Sequence, residues 1–123
     1  MIEPLNSRDN PGFFIRDSRH AADIIEEVGA DNLHLQFDVY HSHIMDDDVV
    51  SALRQNIRHI GHVQIADHPG RHEPGTGRID FWAMFQALER AKYEGWIGCE
   101  YVPSTTTEEG LSWLRRDFPS RTS

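Results

Sequence analysis

The sequence of 123 residues lacks the features of membrane proteins, nucleic-acid-binding proteins and disulfide-bonded folds. Its single cysteine, Cys99, cannot form an internal disulfide, so a reducing, cytoplasmic compartment is our default expectation. No run approaches the roughly 20 apolar residues of a membrane span, and no basic segment followed by an apolar one indicates a signal peptide. Acidic residues outnumber basic ones by 20 to 12, and a net charge of -8 argues against binding a phosphate backbone.

The hydrophobic pattern predicts a strand followed by a helix, repeated four times along the chain. The predicted strands cover residues 1–4, 33–38, 61–66 and 96–101, and the predicted helices cover residues 18–28, 46–58, 80–93 and 107–117. Such alternation is typical of an α/β fold with a parallel sheet and right-handed crossovers. We expect residues 1–118 to form one domain and residues 119–123 to be a frayed tail.

The predicted strands carry polar side chains on one face only. Side chains alternate across a strand, and the polar face holds His34, Gln36 and Asp38 in the second strand, His62 and Gln64 in the third, and Glu100 in the fourth. An ordinary doubly wound sheet is apolar on both faces. The pattern therefore favours a barrel wall whose inner face lines a polar pocket.

Four oxygen-bearing side chains stand where the predicted strands end: Glu3, Asp38, Gln64 and Glu100. The carboxyl ends of parallel strands meet at one edge, where α/β proteins build metal and substrate sites. Glu3 joins the group only if its short strand enters in the same register. The alternative for each residue is a local hydrogen bond at a strand end.

Three converging carboxylates repel one another unless one is protonated or a cation lies between them. Oxygen-only ligands favour Mg²⁺ or Mn²⁺. A metal held this way can polarise a substrate carbonyl, and a neighbouring carboxylate can move a proton between adjacent carbons. Two such carboxylates on opposite sides of a 2-hydroxy carbonyl compound would suit an isomerase.

Four histidines and one acidic run could also have metal-binding roles, which we compare with structural ones. His41 and His43 could bind Zn²⁺, but we expect them on a loop with no cysteine ligand, which disfavours zinc. His34 and His62 are expected to make structural hydrogen bonds. The acidic run at residues 46–48 suits a helix N-terminus better than a calcium loop.

Two further features have simple interpretations. The glycine- and proline-rich segment 67–78 lacks the Gly-Lys-Ser/Thr ending of a phosphate loop, so we interpret it as a mobile loop that carries Arg71 over a substrate. Cys99 has the parity of the helix-facing side and is expected to be buried. Phe13 and Phe14 could shield the site or fill the core, and the sequence does not separate these alternatives.

Six segments carry a family resemblance, at residues 2–6, 11–14, 36–41, 62–67, 69–77 and 95–101. The most specific are Pro-Gly-Arg-His-Glu-Pro-Gly-Thr-Gly, at 69–77, and Gly-Trp-Ile-Gly-Cys-Glu-Tyr, at 95–101. Over residues 2–118 the chain resembles the C-terminal half of the hydroxypyruvate isomerase family, among the xylose isomerase-like TIM barrels. The resemblance implies an α/β fold in which four βα units form half of a TIM (βα)₈ barrel.

The resemblance also implies residue roles and a reaction. Glu3, Asp38, Gln64 and Glu100 match metal ligands, with Mg²⁺ or Mn²⁺ as the expected cofactor, and Glu3 and Glu100 match the paired catalytic carboxylates. His41 and Arg71 match positions that contact substrate oxygens. The implied reaction converts hydroxypyruvate to tartronate semialdehyde, and the implied partner is a small hydroxy-keto acid.

The chain departs from the family in length, since a TIM barrel needs eight strands and about 250 residues. Four units leave both sheet edges open, so we expect either a truncated gene product or a half-barrel that pairs with a second copy as a homo-oligomer. Activity stays open because the other half would supply substrate contacts. The alternatives are a non-catalytic self-associating remnant, a 2-oxo-tetronate isomerase, and a ketose epimerase. The last is disfavoured because Gln64 stands where those relatives have histidine.

Overall fold

The computed structural model describes residues 1–46 and 48–117, in which strands alternate with helices. The elements in chain order are helix α1 (Ser18–Val28), strand β1 (Leu35–Asp38), helices α2 (Val39–Asp46) and α3 (Val49–Asn56), strand β2 (Ile60–Ile65), helix α4 (Phe81–Arg90), strand β3 (Ile97–Cys99), and helices α5 (Thr107–Gly110) and α6 (Ser112–Asp117). A short 3₁₀ turn, Ile57–His59, leads into β2. Within these ranges, no helix has both the length and the apolar character needed to cross a membrane.

The sheet is parallel, and its strands lie in chain order β1-β2-β3. The register places Asp38 beside Gln64 and Gln64 beside Gly98. The predicted strand at residues 1–4 is reduced to one parallel bridge, between Ile2 and Leu35. Pro4 has no N–H to continue the ladder, which explains why this strand is so short.

The apolar face of the sheet packs against the helices, as its alternation predicted. Leu35 and Phe37 from β1, and Val63 and Ile65 from β2, are fully buried in one cluster with Leu53 and Met84, which come from α3 and α4. Each buried side chain of this size contributes about 1.5–3 kcal/mol. The opposite face of the strands is left to polar side chains.

Helix α1 matches the predicted bounds because both ends carry capping residues. The Asp17 side chain accepts a hydrogen bond from the backbone N–H of His20 at 2.8 Å. Gly29 ends the helix at φ 63, a left-handed conformation that glycine adopts at little cost.

The segment after β1 differs from the prediction. Helix α2 begins at Val39, directly after the strand, so His41 and His43 lie on a helix and the expectation of a loop was wrong. The buried face of α2 includes the polar residues His41 and Ser42, so the sequence lacks the helical period of apolar residues that would predict this helix. The next helix is α3, which is capped by Asp48 through the N–H of Ser51, as the acidic run near the predicted helix start indicated. The helix itself begins at Val49, slightly later than residue 46. Asp47 lies outside the described residues.

The final helix is divided into α5 and α6 at Leu111. Gly110 is a poor helix former, and its carbonyl oxygen accepts a hydrogen bond from the Tyr101 hydroxyl at 2.7 Å. The break turns Trp113 inward, where it stacks on Phe85 at 6.0 Å between ring centroids. The helical spacing of Leu111, Leu114 and Phe118 predicts that they face inward, but Leu111 and Leu114 are exposed. Phe118 and the expected tail lie outside the described residues.

The edge strand β3 is more open than the sequence indicated. Cys99 is exposed, which corrects the expectation of a buried thiol. The exposed fraction of Trp96, immediately before the strand, is 84%. In the described sheet β3 pairs with β2 alone, so nothing on its far side covers these side chains. His34, expected on the inner face, is also exposed.

The core prediction can be tested with one buried and one exposed leucine. Leu53→Ala should lower the free energy of unfolding by about 2–5 kcal/mol, because it leaves a cavity in the cluster between helices and sheet. Leu114→Ala makes the same chemical change on the exposed side of α6 and should cost far less. Urea unfolding followed by circular dichroism measures both. Equal losses for the two variants would contradict the placement of Leu53 in the core.

Candidate functional site

Glu3 and Gln64 meet through the amide group of Gln36. The Gln36 Nε2 donates to Glu3 Oε2 at 2.9 Å and to Gln64 Oε1 at 2.8 Å. The Ile2–Leu35 bridge brings Glu3 alongside β1, and the β1–β2 register supplies the other contact. The uncertain register of Glu3 is thereby resolved in favour of the polar face.

Asp38 and Glu100 meet through the guanidinium group of Arg71. The Arg71 Nη2 lies 2.6 Å from Glu100 Oε2 and 3.5 Å from Asp38 Oδ2. Asp38 is the last residue of β1, and Glu100 directly follows β3. The two carboxylates therefore come from strands on either side of β2, and Arg71 reaches them from the loop that follows β2.

The six residues singled out from the sequence lie around one end of the sheet. Oxygen atoms of Glu3 and Asp38 and a ring nitrogen of His41 lie within 4.8 Å of one another, as a cluster that could hold a metal ion. Gln64 is beside Asp38 in the register, and Arg71 links Asp38 to Glu100. His43 is not in this cluster, so the structure gives no support to the His41–His43 zinc alternative within the described residues.

Asp38 is the most deeply buried carboxylate of the group. Its Oδ1 accepts the backbone N–H of His41 at 3.0 Å, whereas its buried Oδ2 has no hydrogen-bond partner. Burial raises the pKa of Asp38 to about 7, against the lowering effects of the His41 N–H and Arg71. Burial and the nearby Glu100 likewise raise the pKa of Glu3 above its ordinary value. In this group of residues the carboxylates outnumber the positively charged side chains.

His41 enters the site from the first turn of α2. Its Nδ1 lies 3.1 Å from the backbone nitrogen of Asn6 and 2.7 Å from the Asn6 Nδ2. Burial lowers the pKa of His41 to about 4, and the positive charge of Arg71 lowers it further in the same direction. The imidazole is therefore neutral near pH 7.

Both the backbone and the side chain of Arg71 make contacts that hold the residue in place. Its backbone has φ 56, an unusual conformation for a residue other than glycine. The backbone N–H of Val102 donates to the Arg71 carbonyl oxygen at 2.9 Å. The guanidinium carbon lies 5.0 Å from the centre of the Tyr40 ring, within the range of a cation–π contact. These contacts direct the guanidinium group toward the carboxylates.

Asp67 organises the loop that carries Arg71. Its carboxylate is fully buried and accepts four backbone N–H groups, from His68, Gly75, Gly77 and Ile79, at 2.8–3.1 Å. A Cβ atom on Gly77 would collide with Asp67 Oδ1 and the His68 carbonyl oxygen, so the loop requires glycine there. The predicted mobile loop is thus fastened at its base, and its mobility stays a prediction.

Sequence reasoning missed several residues that support the site. Gln36 was placed on the polar strand face with Asp38, but its contacts with Glu3 and Gln64 were not predicted. Asp67, Asn6 and Tyr40 act through turns and helix placement, for which the strand pattern holds no signal. Phe14, left undecided from the sequence, is 76% exposed and edge-on to His20, so it does not fill the core.

Comparison with known proteins identifies what this arrangement resembles. Residues 1–117 match the family model described as xylose isomerase-like TIM barrel. Hydroxypyruvate isomerase of Escherichia coli (strain K12) is 46% identical over 114 residues, which are 93% of this chain and 44% of that protein. The 2-oxo-tetronate isomerase of Cupriavidus necator is 46% identical over 115 residues, 94% of this chain and 44% of that protein.

A solved structure gives the same result for the fold. The crystal structure titled AP endonuclease, family 2, from Brucella melitensis superposes with a TM-score of 0.88 at 41% identity, over 93% of this chain and 44% of the other. The chain thus spans somewhat less than half the length of the relatives it matches. Its three-stranded parallel sheet with helices corresponds to a fragment of a TIM barrel, as the family resemblance implied.

The raised pKa of Asp38 predicts how stability depends on pH in the absence of metal. The folded state binds a proton at Asp38 more tightly than the unfolded state does, so ionisation there costs stability as pH rises from about 4 to about 7. Asp38→Asn cannot ionise and keeps an oxygen for the His41 N–H. Relative to wild type, its unfolding free energy should rise by about 2–4 kcal/mol between pH of about 4.5 and about 8.

Urea unfolding in EDTA at several pH values measures this difference. The opposite contribution of His41, whose pKa is lowered, is common to both proteins and cancels to first order. Glu27→Gln removes an exposed carboxylate of α1 and should show a flat difference from wild type. A flat difference for Asp38→Asn as well would contradict the assignment of a costly buried charge.

Proposed function

Because the chain belongs to the xylose isomerase-like TIM barrel family, we propose that it carries the C-terminal half of an isomerase active site for small hydroxy-keto acids. The observation that carries this proposal is the meeting of Glu3, Asp38, Gln64 and Glu100 at one end of the sheet. Relatives named hydroxypyruvate isomerase and 2-oxo-tetronate isomerase, each 46% identical, support it. We take residues 1–118 as the unit that provides this half-site.

A divalent metal fits the residues that are present. The buried Asp38 Oδ2 accepts no hydrogen bond from the described residues, and the Arg71 guanidinium group lies 3.5 Å away, so this oxygen atom is open to coordinate a cation. Three carboxylates and one amide oxygen form an oxygen-only donor set, which favours Mg²⁺ or Mn²⁺. We propose Glu3, Asp38, Gln64 and Glu100 as the ligands. Such a cation would polarise the substrate carbonyl and stabilise the enediolate oxygens.

Glu3 and Glu100 are proposed as the residues that move the proton. In the conversion of hydroxypyruvate to tartronate semialdehyde, a proton leaves the hydroxymethyl carbon and is returned to the neighbouring carbon, while the hydroxyl proton moves to the former carbonyl oxygen. Burial and the nearby Glu100 raise the pKa of Glu3, which makes its carboxylate a better proton acceptor. The Gln36 amide donates to Glu3 Oε2 and fixes the orientation of this carboxylate.

Arg71 and His41 are proposed to bind substrate oxygens. The Arg71 guanidinium already contacts Asp38 and Glu100, and its position between strand ends places N–H donors at the mouth of the site. Arg71 would recognise the negative charge of a hydroxy-keto acid. We also propose a cytoplasmic location, since the exposed thiol of Cys99 suits a reducing compartment.

Replacement of one proposed proton carrier tests the catalytic role. Glu100→Gln should lower turnover of hydroxypyruvate by about 10²–10⁴-fold, because an amide cannot accept the proton. It should also weaken Mn²⁺ binding in calorimetry, since the amide carries no charge toward the ion. Glu94→Gln makes the same change at an exposed site near β3 and should leave both measurements unchanged. Equal turnover for Glu100→Gln and wild type would contradict the assignment.

A second candidate function is self-association without catalysis, favoured by the uncovered sheet edge. Trp96 is 84% exposed beside β3, and Val102 beyond the strand is 64% exposed. Large apolar side chains next to an unpaired strand are typical of an interface. We propose that a second copy covers this edge, either closing the barrel or only burying the exposed faces.

The mass of the chain in solution tests this assembly. Light scattering should give the mass of a dimer or larger species for wild type and a lower mass for Trp96→Arg, which places a charge in the edge. Trp82→Arg changes the exposed tryptophan of α4, 61% exposed, and should keep the wild-type mass. A monomeric wild type would exclude self-association. A turnover assay on the same sample separates an active half-barrel from an inactive one.

A further inference from the structure

The side chain of Asn6 has one possible orientation in its buried site. Its Oδ1 accepts the backbone N–H groups of Arg8 and Asp9, at 3.1 and 2.8 Å. Backbone N–H groups only donate, so the atom facing them must be the oxygen. The Nδ2 end therefore points the other way, toward Asp9 Oδ2 at 3.0 Å and His41 Nδ1 at 2.7 Å. Because Asn6 is fully buried, water does not compete for these contacts.

This orientation determines which nitrogen of His41 carries the proton. Nδ1 faces the Asn6 Nδ2 and also receives the backbone N–H of Asn6 at 3.1 Å. Both groups are donors, so Nδ1 accepts and carries no proton. A neutral imidazole then has its proton on Nε2.

We infer that Asn6 is a positioning residue that holds the His41 proton on Nε2, so that His41 donates a hydrogen bond to a substrate oxygen and is not a metal ligand. The substrate contact rests on the proposed function, whereas the position of the proton rests on the Asn6 contacts alone. The family resemblance matched His41 to a substrate contact but gave no reason for its protonation state.

The inference decides whether His41 is a ligand of the metal or only a neighbour of the carboxylate cluster. His41 has a ring nitrogen within 4.8 Å of oxygens of Glu3 and Asp38, a separation that would also admit it as a ligand. A metal ligand must be an unprotonated nitrogen. Nδ1 is occupied by two donors, and Nε2 carries the proton, so neither nitrogen is available to a cation. The metal is then left to oxygen ligands.

Long-range ¹H–¹⁵N correlation spectra of the imidazole groups test the inference, because they distinguish protonated from unprotonated ring nitrogens. Wild type near pH 7 should show His41 with a protonated Nε2 and an unprotonated Nδ1. Asn6→Asp keeps an oxygen for the Arg8 and Asp9 N–H groups but turns a second oxygen toward Nδ1. Nδ1 then faces one donor, the backbone N–H of residue 6, and one acceptor, so a fraction of His41 should carry its proton on Nδ1, as the two-dimensional pattern of the ring would show.

Asn56→Asp is the matched control, since Asn56 is also buried but bonds the Ala52 carbonyl in α3. It should leave the His41 pattern unchanged. The wild-type spectrum decides the question even where Asn6→Asp does not fold: a proton on Nδ1 would overturn the inference. So would loss of the Nε2 proton on saturation with Mg²⁺. A protein that neither binds Mg²⁺ nor turns over hydroxypyruvate would refute the proposed function, and the tautomer in the metal-free spectrum would still test the role of Asn6.

Discussion

Glu3, Asp38 and Glu100 bring three carboxylates to one end of a parallel sheet, and Arg71 is the guanidinium group that lies against two of them. Two like charges about 4 Å apart repel by roughly 4 kcal/mol at an effective dielectric constant of about 20. Burial raises the pKa of Asp38, the repulsion from Glu3 and Glu100 adds to this effect, and one oxygen atom of Asp38 accepts no hydrogen bond. The other features of the site serve to hold these charges together or to offset them.

The scaffold holds the charges through backbone contacts rather than through the side chains alone. The β1–β2 register fixes Asp38 beside Gln64, and Gln36 ties Glu3 to the same strands. Asp67 collects four backbone N–H groups and so shapes the loop that presents Arg71. A buried carboxylate satisfied by amides is a stable anchor because every hydrogen bond is charge-assisted. The site is thus prepared before any ligand arrives.

Much of this arrangement was predictable where it follows from periodicity. Two-residue alternation placed Asp38, Gln64 and Glu100 on one face, and a 3.6-residue period of apolar residues gave α1. Helix α2 was missed because its buried face includes His41 and Ser42, which have no apolar signal. The helix break at Gly110 and the four hydrogen bonds that Asp67 accepts depend on contacts between distant segments. Local sequence patterns do not predict such contacts. Cys99 is exposed because the sheet edge at β3 is open, and the residue pattern of a single strand does not show whether that strand has a neighbour.

The placement of the cation can be observed directly. Anomalous diffraction from a crystal grown with Mn²⁺ should show one ion in contact with oxygen atoms of Glu3, Asp38, Gln64 and Glu100. Asp38 Oδ2, which accepts no hydrogen bond in this structure, should be among its ligands. The His41 ring should remain bonded to Asn6 and outside the coordination shell. An ion bound elsewhere, or carboxylates still paired to Arg71 with no ion between them at saturating Mn²⁺, would contradict a metal site at the strand ends.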